Sequence, residues 1–159
     1  MKLLERMILV SGLALALGLA TQASAEEALK LPEGKVAIHY FRADGAYAGW
    51  GLHAWESFQK KEEAGDEWAA KEFTDAPVKG VTWQKPLQQA GKDDFGVYWL
   101  MDEKSFGNGR VNYIIHQGDK KDQCNKDMFW LIKDTKELWV NSGDCTSYKT
   151  KDEALKARK

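Results

Sequence analysis

Lys35-Val36-Ala37-Ile38-His39-Tyr40-Phe41-Arg42-Ala43-Asp44-Gly45-Ala46-Tyr47-Ala48-Gly49-Trp50-Gly51-Leu52-His53-Ala54-Trp55 reads as two extended segments joined by a turn. In the first, Val36, Ile38 and Tyr40 fall on one face and Ala37, His39 and Phe41 on the other, which is the period of two that a strand imposes. Pro32-Glu33-Gly34 precedes it as a turn, and Asp44-Gly45 is a second turn signal. From Gly49 the alternation resumes, with Trp50, Leu52 and Ala54 opposite Gly51, His53 and Trp55. Two such runs around a short turn predict neighbouring β-strands and a fold made chiefly of them.

Outward from that stretch the pattern repeats. Phe95 to Met101, Val111 to His116, Met128 to Ile132 and Glu137 to Val140 are further candidate strands, punctuated by Asp93-Asp94, Gly107-Asn108-Gly109, Gly118-Asp119 and Gly143-Asp144. Short strands with frequent turns predict an all-β antiparallel sandwich or barrel rather than βαβ units. Glu56 to Lys71 departs from this. It is rich in Glu, Lys, Gln and Ala, without a clean apolar stripe, and reads as a charged insertion of helical composition after the second strand, within residues 56–81. Residues 149–159 are highly charged and read as a fraying tail.

At the N-terminus, Lys2 and Arg6 flank an apolar run from Met7 to Ala20, and Ala23-Ser24-Ala25 supplies a small-x-small cleavage pattern. Residues 1–25 are therefore expected to be a secretory signal peptide, residues 26–148 the folded domain, and the protein exported to the periplasm or beyond the cell. The apolar run falls short of the ~20 residues that cross a bilayer, so no membrane anchor is expected. The whole chain has 159 residues, 43% of them hydrophobic, which suits one domain with one core and excludes a large multidomain enzyme. A net charge of −1 gives no electrostatic reason to expect nucleic acid. Only Cys124 and Cys145 are present, and an even count in an exported chain points to a disulfide, with two buried thiols as the alternative.

The residues that could carry chemistry are few. There is no Gly-x-Ser-x-Gly motif, no catalytic cysteine context and no recognisable carboxylate pair, so no enzymatic activity is expected. His39, His53 and His116 could hold a zinc ion only by converging, and strand histidines more often pack or hydrogen-bond; neither metal nor cofactor is expected. His53 and Trp55 stand side by side on the face of strand two opposite Trp50 and Leu52. On the wet side of an antiparallel sheet such a pair is a stacking platform; alternatively the insertion covers Trp55 and the pair completes a small cluster.

His39 to Trp55 resembles the opening of the pullulanase-associated domain, carbohydrate-binding module family 41. Lys92-Asp93-Asp94-Phe95-Gly96 is similar to its mid-domain turn and strand. Ile114-Ile115-His116-Gln117-Gly118-Asp119-Lys120-Lys121-Asp122 resembles its signature segment, and Glu137-Leu138-Trp139-Val140 with Ser142-Gly143-Asp144 resembles its closing strand. The blocks come in family order over about Val36 to Tyr148. The resemblance implies an immunoglobulin-like β-sandwich that binds α-glucans such as amylose, maltodextrin or pullulan without hydrolysing them. Carried over by position, the sugar-binding residues become His53, Trp55, Lys121 and Asp122, with an imidazole at His53 in place of a second indole. An indole removes the apolar face of a pyranose from water, while a Lys-Asp fork would meet its hydroxyl rim. In family settings the module is attached to a pullulanase; here it is read as free-standing, with an amylolytic enzyme as an envisaged partner. The competing reading is an exported inhibitor or adaptor that keeps the sandwich and has a degenerate sugar site.

Overall fold

The computed structural model of the chain describes residues 27–59 and 73–158. The strands are β1 (Lys35–Phe41), β2 (Gly51–Gln59), β3 (Phe73–Pro77), β4 (Gly91–Lys92), β5 (Val97–Asp102), β6 (Arg110–Gln117), β7 (Lys120–Lys121), β8 (Met128–Leu131), β9 (Glu137–Asn141) and β10 (Ser147–Tyr148), followed by one short helix, α1 (Lys151–Lys156). They form two sheets, one in the order β10-β9-β1-β5-β4 and the other β3-β2-β6-β7 with β8 also on β6. All pairings are antiparallel except β1 with β9, which run parallel. The chain is thus an all-β sandwich of the expected class, and each of the six strands expected from alternation is present.

The inward positions of the opening stretch build the core. Val36, Ile38 and Tyr40 of β1 meet Trp50 and, on β2, Leu52 and Ala54, together with Trp99, Val111, Tyr113, Ile115 and Leu138 from the strands around them. Tyr40, Trp99 and Tyr113 are completely buried. Each such ring removes about 150–250 Å² from water, about 4–6 kcal/mol at 25 cal/mol/Å². Three of them outweigh the roughly 3 kcal/mol that a disulfide closing a loop of this size contributes in the chain-entropy model. That bond is present between Cys124 and Cys145, with Cα atoms 5.1 Å apart. The core therefore dominates the fold and the disulfide fixes one corner of it.

Two expectations change. The segment read as an insertion from 56 starts as strand: β2 continues through Gln59 and pairs with β3, Trp55 opposite Pro77 and Gln59 opposite Phe73. Its middle, residues 60–72, and the expected signal peptide lie outside the described residues. The tail does not fray where it is described. Thr150 and Glu153 form a reciprocal capping box at the start of α1, Ala154 is buried, and the Asn141 side-chain amide of β9 donates to the Ala154 carbonyl at 2.8 Å. Docking on β9 gives a six-residue helix the stability that its length alone denies it. No helix among the described residues is long and apolar enough to cross a membrane.

Candidate functional site

The outward positions of the second sheet make a cleft of about 600 Å³ lined by His53, Trp55, Pro77, Trp83, Ile114, Lys121 and Asp127. Its geometry follows from register. His53 lies opposite Ile114 of β6, and Gly51 and His116 share a row with Lys121 of β7. Cross-strand partners project to the same side, so the pairing gathers these residues on one face. Ile114 is its apolar floor, and Trp55, Trp83 and His53 are half-buried around it. The His53 and Trp55 ring centroids are 5.5 Å apart.

Trp83 arrives from the loop after β3. Leu87 exchanges both backbone hydrogen bonds with Leu52, at 3.0 and 2.8 Å, so this loop is clamped along the edge of β2. Gly51 makes the approach possible: a Cβ there would lie 2.5 Å from Pro86 Cγ. A tight turn from Thr82 to Lys85 then turns Trp83 onto the face. Its indole stacks on His116 at 3.9 Å and 8°, meets His53 edge-on at 5.7 Å, and donates from Nε1 to Asp119 at 3.1 Å. Three interactions hold this ring in place before any ligand arrives. The position carries no sequence period because it sits in a turn, and its only sequence signal was an indole in the polar stretch between Gly80 and Pro86.

The polar edge differs from the Lys-Asp pair expected. Lys121 does reach the cleft, with Nζ 5.8 Å from the Trp83 ring and 2.9 Å from Asp127 Oδ1. Asp122 does not. Only 8% exposed, it accepts from the Gln123 and Gly143 amides at 2.8 Å each through Oδ1, and from the Tyr40 hydroxyl through Oδ2. Consecutive residues of an extended chain point to opposite sides, so Lys121 and Asp122 cannot share a face, and Asp127 supplies the carboxylate of the cleft. Asp122 instead anchors the turn that brings Asp127 there. Gln123, Cys124 and Asn125 all have left-handed backbone, at φ 44°, 57° and 59°. Each such residue costs about 1–2 kcal/mol, which the Asp122 carboxylate and the link from Cys124 to Cys145 offset.

Electrostatically the cleft is mixed. Burial pushes the His53 imidazole below its ordinary value, with His116 and Lys121 acting in the same direction and the Thr82 backbone and Asp127 opposing. His53 Nδ1 is buried with no hydrogen-bond partner among the described residues. His39 lies on the other sheet, so the three histidines do not converge, and no cluster of metal-ligating side chains occurs among the described residues. What remains is a shallow apolar floor with two indoles and a Lys-Asp pair.

A family model for the bacterial pullanase-associated domain matches residues 34–149. The chain belongs to this family. Members of this family are non-catalytic carbohydrate-binding modules, and residues 34–149 form a domain of that kind. An alpha-amylase of Streptomyces lividans is 36% identical over 101 residues, covering 64% of this chain and 9% of the amylase. The fold is similar to the family 41 carbohydrate-binding modules of streptococcal virulence factors, at a TM-score of 0.54 and 18% identity, covering 77% of this chain and 50% of that one. It is also similar to a Klebsiella pneumoniae pullulanase complexed with maltotriose, at a TM-score of 0.57 and 20% identity, over 85% of this chain and 12% of the pullulanase. The chain thus spans half or less of the length of these relatives.

Proposed function

We propose that the cleft of the second sheet binds α-glucans of the amylose, maltodextrin or pullulan type. The observation that carries this reading is the half-open pair of indoles, Trp55 and Trp83, set over Ile114 beside the Lys121–Asp127 ion pair. A pyranose has an apolar face of C–H groups and a rim of hydroxyls. The indoles take the first, removing it from water, and the ion pair meets the second with charge-assisted hydrogen bonds. Trp83 stands where the imidazole of His53 leaves stacking area unfilled, its ring 5.7 Å from that imidazole. A shallow site of this kind binds in the micromolar to millimolar range, about −8 to −4 kcal/mol.

The test is isothermal calorimetry of the full chain with maltotriose and maltoheptaose, repeated with Trp55→Ala and Trp83→Ala. Removal of a central stacking indole weakens affinity by about 2 kcal/mol, roughly thirtyfold. Wild-type protein that takes up neither sugar would instead favour an exported inhibitor or adaptor on the same sandwich, to be sought by pull-down. Export belongs to the same proposal: residues 1–25 carry the signal pattern, and the link from Cys124 to Cys145 suits an oxidising compartment. Mature protein recovered from the periplasm or medium should begin at Glu26.

A further inference from the structure

The cleft does not account for the whole outward face of the second sheet. Beyond β6 lies β8, and the register runs Pro77, Trp55, Asn112, Phe129 from β3 across β2 and β6 to β8. Each pair in that row projects to the same side. Phe129 is 49% exposed, whereas the residues to either side on β8, Met128 and Leu131, are half-buried and Trp130 lies in the core. Asn112, between Trp55 and Phe129, is 3% exposed and donates to the Trp55 carbonyl at 3.2 Å, so it forms a low polar step between the two rings. The Arg110 guanidinium lies over one face of the Phe129 ring, 4.0 Å from its centroid, and fixes the ring by a cation–π contact. Asp127, the carboxylate of the cleft, is two residues before Phe129 and leads directly into β8.

Scattered exposed apolar residues are ordinary and by themselves mean nothing. Position distinguishes this one. Two strand spacings of about 4.8 Å separate β2 from β8, so Phe129 stands about 10 Å from Trp55 across a low polar step, on the same face and in the same row. That distance exceeds one pyranose ring, and the sequence of surfaces repeats: aromatic ring, polar edge, aromatic ring. A ligand reaching both must be a chain of sugar units.

We propose that the binding face continues from the cleft across Asn112 to Phe129, and that this second stacking position selects extended α-glucan chains over the shortest oligosaccharides. The inference rests on the α-glucan reading above and names what that site prefers. Its occupant is the continuation of the same glucan chain.

Calorimetry of the full chain with maltose and with maltoheptaose tests it, for wild type, Phe129→Ala and Phe129→Trp. The ring is half exposed, so neither substitution opens the core, and unchanged melting temperatures check that. Expected are about tenfold weaker maltoheptaose binding in Phe129→Ala, unchanged or strengthened binding in Phe129→Trp, and affinity for maltose, too short to span the two rings, equal in all three. Comparing variants on one ligand cancels the advantage a longer chain has from offering more registers. Equal maltoheptaose affinity in wild type and Phe129→Ala overturns the extension while leaving the cleft intact, since Trp55→Ala still weakens binding of both sugars. Wild type that binds neither sugar overturns both. A Phe129→Ala loss of equal size on both sugars also overturns the extension, since it would place Phe129 within the short site.

Discussion

The two outer faces of the sandwich each carry a histidine among aromatic rings, and they use it in opposite ways. On the first sheet, His39 of β1 is 2% exposed and stacks on Trp139 at 5.0 Å and 5°. Both its nitrogens are bonded to carboxylates, Nδ1 to Asp93 at 2.7 Å and Nε2 to Glu137 at 2.9 Å. On the second sheet, His53 of β2 sits beside Trp55 and Trp83 with Nδ1 unpartnered among the described residues and an open cleft in front of it. A ring system whose polar atoms are already paired has little left to offer a ligand, whereas a half-open one does. Satisfaction, more than residue type, separates the structural face from the binding face.

The largest expected effect breaks the closed face. Asp93 is 3% exposed; burial alone would raise its carboxyl, yet the His39 ring and the amides of Gly96 and Phe95 outweigh that and hold it below the usual range. His39→Ala leaves Asp93 and Glu137 facing a gap without their common partner. Leaving buried hydrogen-bonding groups without their partner costs about 1–3 kcal/mol each, and for a domain of this size the melting temperature falls by roughly 10 °C. Differential scanning calorimetry reads the loss. Glucan affinity at 25 °C stays as in wild type; if it falls in parallel, the two faces are not the separate systems described above.

How far these differences could be read from sequence depends on the range of the interaction. Alternation placed Val36, Ile38, Tyr40, Leu52 and Ala54 inward and His53 and Trp55 outward, because side-chain direction along a strand is a local property. The same rule, applied to Lys121 and Asp122, would have shown that neighbours cannot form a fork. Asp127 could not be found that way, since it reaches Lys121 through a turn with three left-handed residues. Trp83 and the strands β4, β7 and β10, two residues each, carry no period at all. Thr150 and Glu153, by contrast, form a capping box that was legible and marks the start of α1.

A smaller effect joins the two halves of the comparison, because Asp122 is a satisfied group that serves the open face. Asp122→Ala removes the acceptor from the Gln123 and Gly143 amides and from the buried Tyr40 hydroxyl. Stability should fall by about 2–4 kcal/mol, the cost of leaving such donors unpaired. Since the turn then no longer holds Asp127 against Lys121, maltotriose affinity should also fall a fewfold at temperatures where the variant is folded. Asp122→Asn keeps an acceptor for the two amides and should recover most of both losses. Affinity equal to wild type in Asp122→Ala would mean that the turn, and with it Asp127, does not need this carboxylate.

The smallest effect tests the open histidine itself through pH. Burial holds the His53 pKa below its ordinary value of 6.5, so between that value and the folded one the unfolded chain binds more protons than the native chain. Stability then rises with pH across the window: the neutral imidazole contributes fully above 6.5, and the contribution is lost as pH falls through the folded value. Charging His53 also places a cation on the half-buried face of the cleft, where loss of hydration is the largest effect and acts against the charged ring despite the attraction of Asp127. Glucan affinity should therefore decline over the same window. His53→Gln has no titrating ring, so its stability and affinity should change less with pH than those of wild type between 6.5 and 5. Superimposable profiles for the two proteins would mean that the imidazole is already open enough to water to titrate as it does in the unfolded chain, and the open face would then owe its binding to the two indoles alone.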